Sequence, residues 1–131
     1  MRITDKISII THFFVGTGAL AGGTAAIVNP YDPMGVNSGE LLKYAPFSDF
    51  LLPGLILFAI IGLGNITAGF MLFTKWTIRP ITSGFFAVTL IFWIVVQCVI
   101  LQSIAVLHVI FFMTGIFQGI LSLFLLDPQA R

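Results

Sequence analysis

Three long stretches without a charged residue constrain this chain more than any other feature. No Asp, Glu, Lys or Arg occurs between Lys6 and Asp32, between Asp49 and Lys75, or from Pro80 to Leu126. A helix rises about 1.5 Å per residue and the hydrocarbon core of a bilayer is about 30 Å thick, so one span needs about 20 residues. The first two stretches, 25 residues each, supply one span apiece. The third holds 47 residues. As a single helix it would reach about 70 Å, so it must fold back on itself. The turn is expected at Gln102-Ser103, the most polar pair near its middle. The spacing therefore predicts an all-α, polytopic membrane protein: one transmembrane domain over 1–131, with four helices in a compact bundle at about 8–28, 49–73, 81–101 and 104–126.

Composition closes off the alternatives. Hydrophobic residues make up 58% of the chain and charged residues 8%, against roughly 25% charged in a soluble domain. A soluble enzyme, a nucleic-acid binder and a disordered chain are excluded together. The basic start at Arg2 and Lys6 is reminiscent of a signal peptide. The apolar run behind it is long, however, and no clear cleavage site precedes a soluble region, so a retained helix is expected.

Four spans put Arg2, Lys6, Lys75, Arg79 and Arg131 on one side and Lys43 on the other, a positive-inside pattern with both termini cytoplasmic. Trp76 beside Lys75 suits a headgroup anchor. The outer loop, about 29–48, begins with turn chemistry in Asn29-Pro30-Tyr31-Asp32-Pro33-Met34-Gly35. Asn37 and Glu40 then have the spacing of a helix start, and Leu41, Leu42, Tyr44 and Phe47 would lay a short helix on the outer interface. Ser48 or Asp49 can cap the second span.

Lipid is as apolar as leucine, so small residues that permit close approach matter for packing. Gly18 with Gly22, Gly62 with Gly64, and Gly115 with Gly119 are the candidate packing positions. Phe85, Phe86, Phe92 and Trp93 give the third span bulk, to face lipid or to fill gaps.

Depth along the predicted helices sorts the polar side chains into two layers. His12, Asn65, Thr89 and Gln118 fall in one inner layer, each about eight or nine residues from the cytoplasmic edge or slightly less. Gln97, Gln102 and His108 form an outer layer with Thr24, near Asn29 and Asp32. Both layers can be read as interhelical hydrogen bonds that fix register, worth about 0.6 kcal/mol each on average. Either can also be read as a polar pocket in which a histidine handles a proton or holds a head group. If a layer binds a ligand, the outer one, comprising Gln97, Gln102, His108 and Asp32, is the better placed, beside the acidic Pro-rich loop.

Familiar chemistries find little support. The two histidines stand about 15 Å or more apart in depth, too far for bis-histidine haem. Cys98 is the single cysteine, so no disulfide, CxxC pair or Cys-rich metal site forms within one chain. Asp32, Asn37 and Glu40 lack calcium-loop density. Ser103 near His108 is too little for a nucleophilic site. No catalytic constellation, metal site or cofactor is expected.

The stretch Pro46-Phe47-Ser48-Asp49-Phe50-Leu51-Leu52-Pro53-Gly54-Leu55-Ile56-Leu57-Phe58, continued by Gly62-Leu63-Gly64-Asn65, resembles small uncharacterised four-helix membrane proteins of bacteria. Trp93, Gln97, Gln102 and Gly115 in the last two spans are similar too, and the span count and size resemble the DoxX-like group. The resemblance implies a multi-pass protein of the bacterial cytoplasmic membrane and no particular activity. The expected function is therefore an accessory or structural subunit acting through helix–helix contacts. Its partners would be membrane lipids, a second copy or a larger membrane protein. The alternatives are a small transporter or lipophilic-ligand binder with an outer polar pocket, and a membrane enzyme using His108 with a quinone or lipid.

Overall fold

The computed structural model describes residues 3–30, 49–74, 78–101 and 106–126. Four helices long and apolar enough to cross a membrane account for nearly all of them: α1 (Ile3–Val28), α2 (Leu51–Met71), α3 (Arg79–Leu101) and α4 (Val106–Leu125). The expected turn at Gln102-Ser103, the anchor Trp76 and the outer-loop features from Asp32 to Phe47 lie outside the described residues.

The helices pack as an antiparallel ring. α1 lies against α2 and α4, and α3 lies against the same two, so α1 and α3 face each other across the bundle axis. Contacts fix the directions. A Cβ on Gly54, near the start of α2, would meet Ala26 near the end of α1, while Phe13 packs edge-on to Phe70 near the end of α2. Ile9, Leu72 and Leu125 then meet in one small apolar cluster that gathers the start of α1 and the ends of α2 and α4.

α1 is the most internal span. Its buried side includes Asp5, Ser8, His12, Val15, Ala19, Gly23 and Ala26, steps of three and four residues that keep one seam inward. Closest approach to α2 runs over Gly16 and Gly23. A Cβ at Gly23 would lie 2.7 Å from the Cβ of Phe58 and 2.9 Å from the Gly54 carbonyl oxygen. The Gly18–Gly22 pair picked out by its spacing is not this seam. Gly18 is exposed with only the ring tip of Phe111 over it, and Gly22 is half-buried beside Leu57. A GxxxG spacing marks two residues on one face but does not say which face turns inward.

Elsewhere bulk on one helix seats against glycine on the next. Phe86 of α3 lies over Gly64, Leu20 of α1 over Gly62, and Ile91 of α3 over Gly115. Gly119 is looser, its added Cβ being 3.9 Å from Ala87. Of the aromatics of α3, Phe85 and Phe92 face outward, and Trp93 joins Val15, Ala19, Ile61, Leu90 and Ile94 in the main apolar core.

α2 is not uniform. Leu57–Leu63 winds as a π-helix between α-helical flanks. The i→i+5 bonding of such a segment accommodates an extra residue and shifts the phase of the helix behind it. At the start of α2 the Leu51 N–H donates to an Asp49 carboxylate oxygen at 2.9 Å, and Pro53 sits in the first turn, where it costs no helical bond.

Candidate functional site

Where the diagonals of the ring cross, four polar side chains meet, one from each helix. His12 of α1 lies on the axis and is fully buried, as are Asn65 of α2, Ser83 of α3 and Gln118 of α4. Nδ1 of His12 is 2.8 Å from Oδ1 of Asn65, and Nε2 is 2.6 Å from Oγ of Ser83. Gln118 Nε2 lies 3.3 Å from the same Nδ1 and 3.4 Å from Asn65 Oδ1.

Donor counting orients the ring. The Asn65 amide nitrogen donates to the Ile61 carbonyl at 2.8 Å, so Oδ1 is the atom left to face His12 and can only accept. Nδ1 of His12 therefore carries a proton and donates to it. In a neutral ring Nε2 then accepts from the Ser83 hydroxyl. Gln118 Nε2 and the Nδ1–H are both donors, so their approach is not a hydrogen bond. The Gln118 amide donates instead to Asn65, at the long end of the range.

Ser83 is unusual among the hydroxyls of the spans. Thr24, Thr67, Thr82, Thr89 and Thr114 all return their hydroxyls to the carbonyl four residues back in their own helix. Ser83 reaches across the bundle instead. Two polar atoms in this region have no hydrogen-bond partner among the described residues, Oε1 of Gln118 and Oγ of Ser8.

Toward the end of the bundle that gathers the start of α1, α1 carries Ser8 and then Asp5 on the same seam. Asp5 pairs with Arg79 of α3 at 3.6 Å, both buried. Arg79 also donates to the carbonyls of Leu72 at 2.9 Å and Thr74 at 3.2 Å, closing the C-terminal end of α2. A cation there complements the partial negative charge of the helix end. Hydropathy misses this pair, because it begins the spans at residues 8 and 81 while the helices begin at Ile3 and Arg79. Capping and pairing let the charged residues enter the helices.

Three of the four residues placed in the inner layer by depth, His12, Asn65 and Gln118, are in contact. Thr89 is not among them. Its hydroxyl returns to Phe85 on its own helix, and Ser83 takes the place assigned to it. The reason is rotation. Ser83, Ala87 and Leu90 share the buried face of α3, and Thr89, six residues from Ser83, points about 120° away from that face. The small-residue face from Ser83 to Ala87 was the signal that could have located it.

Gln97 and His108 are half-buried, and Thr24 turns its hydroxyl back to Leu20. Gln102 and Asp32 lie outside the described residues. Cys98 is half-buried on α3, and no group of three or more His, Cys, Asp or Glu able to hold a metal occurs among the described residues. Compared with family models, curated proteins and solved structures, the chain matches none.

Proposed function

We propose that the chain is a small accessory or structural subunit of a bacterial cytoplasmic membrane, working through helix–helix contacts with itself or a larger partner. One observation carries this reading: the fully buried polar side chains at the axis bond one another and line no open site. His12, Asn65, Ser83 and Gln118 close a network at the axis, and the span threonines bond their own helices. The outward surface is left to residues such as Phe70, Phe85, Phe92, Phe117 and Leu123, apolar side chains that meet lipid or another apolar helix. The excess of Lys and Arg on the side of the termini supports a cytoplasmic position for both ends.

Native mass spectrometry of the protein released gently from its own membrane tests the proposal. A defined oligomer or a copurifying membrane protein, without a small ligand, is the expected result. A monomer carrying a stoichiometric small mass would overturn it in favour of the second reading, a transporter or lipophilic-ligand binder. That reading keeps its pocket on the outer side, at Gln97, Gln102, His108 and Asp32.

A further inference from the structure

We propose that the His12 network is a proton-binding site reached from the end of the bundle where Asp5 and Arg79 pair. The proposal does not depend on whether the chain has a protein partner. It rests on three features of the network: its closure, its capacity to pair the ring in either charge state and the column of polar groups leading to it.

Closure limits the ligand. His12, Asn65, Ser83 and Gln118 are each at most 1% exposed, and they bond or touch one another at 2.6 to 3.4 Å. A proton adds no volume, so it is the ligand that such a cluster takes up without opening. Intramembrane ionisable side chains facing a bundle interior are where proton chemistry is found in membrane proteins.

The network accommodates the ring in either charge state. In the neutral ring Nδ1–H donates to Asn65 and Ser83 donates to Nε2. On proton uptake Nε2–H donates to Ser83 Oγ, and the Ser83 hydroxyl proton swings to its own helix. Five threonines of the spans already use the carbonyl four residues back in that way. One O–H rotation thus keeps both ring nitrogens paired. Gln118 Oε1, which has no partner among the described residues, would be a second acceptor for the Nδ1–H if the amide turned over, in either charge state.

The route runs along α1. Asp5, Ser8 and His12 are spaced three and four residues apart on one buried seam, and the Ser8 hydroxyl between the other two has no partner among the described residues. The charged groups facing this region are Asp5 from α1 and Arg79 from α3; α2 and α4 bring Asn65 and Gln118 and no ionisable group to it among the described residues. On the far side of His12 lies the core of Val15, Ala19, Ile61 and Trp93, whose one polar atom without a partner among the described residues is the Trp93 indole N–H, a donor that cannot accept and pass on a proton.

Nitrogen NMR of histidine-labelled protein in lipid nanodiscs tests this, with His108→Gln used to assign the His12 signals. The expected result at about pH 8 is a protonated Nδ1 and a lone-pair Nε2. Acidification toward about pH 5, the range in which histidine changes charge, abolishes the lone-pair signal. The side-chain amides of Asn65 and Gln118 shift at the same midpoint, and Asp5→Asn displaces that midpoint. A ring that keeps its lone-pair nitrogen throughout, or titrates without moving those amides, overturns the proposal. In Ser8→Val the exchange of the His12 ring proton with heavy water is expected to slow. An unchanged rate overturns the route along α1.

Discussion

His12 and Thr89 separate what a polar residue contributes when it bonds across helices from what it contributes within one. Replacing His12 with alanine removes the bonds to Asn65 and Ser83 and leaves both partners buried. Interhelical bonds in lipid average about 0.6 kcal/mol each, but orphaned buried partners add to that, so a loss of about 1–3 kcal/mol is expected. Replacing Thr89 with alanine removes only a bond to its own helix and should stay within about 0.5 kcal/mol. Unfolding of the reconstituted protein in mixed micelles checks both, and equal effects would show that the network carries no stability. Glycine gives a second contrast. An alanine at position 23 would press on the backbone of Phe58 and Gly54, where nothing flexible can yield, and should cost about 1–3 kcal/mol. At position 119 the added methyl meets Ala87 at an ordinary distance and should be near neutral in the same assay.

At the scale of the element, the π-helical stretch of α2 decides which way Asn65 points. Leu57–Leu63 carries more residues per turn than its flanks, and Asn65 comes directly behind it. Deleting the lipid-facing Ile60, which is 47% exposed, removes the surplus and lets the span run as an α-helix with its two ends still in phase. The variant is expected to fold with a melting temperature close to the parent. Deleting Phe117 from α4 has no surplus to absorb it and rotates Gln118 by about 100° relative to the preceding turns. That variant should melt well below the parent. If the two deletions behave alike, the π-helix has no role in setting register. The existence of α2 was legible from its uncharged length; its N-cap is Phe50 rather than the Ser48 or Asp49 that the sequence suggests, with the Asp49 carboxylate, one residue ahead of the cap, accepting from the Leu51 N–H. The internal phase change of α2 was not legible, because no Pro or charge marks it and the hydropathy of Leu57–Leu63 is continuous with its surroundings.

For the whole molecule, an even number of spans and the ring of contacts bring the described ends of α1 and α4 to one end of the bundle. Reporters fused after Arg131 and before Met1 should therefore read on the same side, and the excess of Lys and Arg there predicts that side to be cytoplasmic. Opposite readings at the two ends would break the pairing of α3 with α4. Sequence alone determined that the chain holds four helices long and apolar enough to cross a membrane, since the length of an uncharged run is a one-dimensional quantity set against a bilayer of fixed thickness. It also determined the depth of His12, Asn65 and Gln118, because depth along a helix is a count of residues. What only the tertiary structure decided is rotation. Which face of each helix turns to the axis chose Ser83 over Thr89 and Gly23 over Gly18, and it brought Asp5 to Arg79. Hydropathy is silent on this, because in lipid both faces of a span are apolar. The inward face is selected by close packing and by polar groups that find partners only once all four helices are in place.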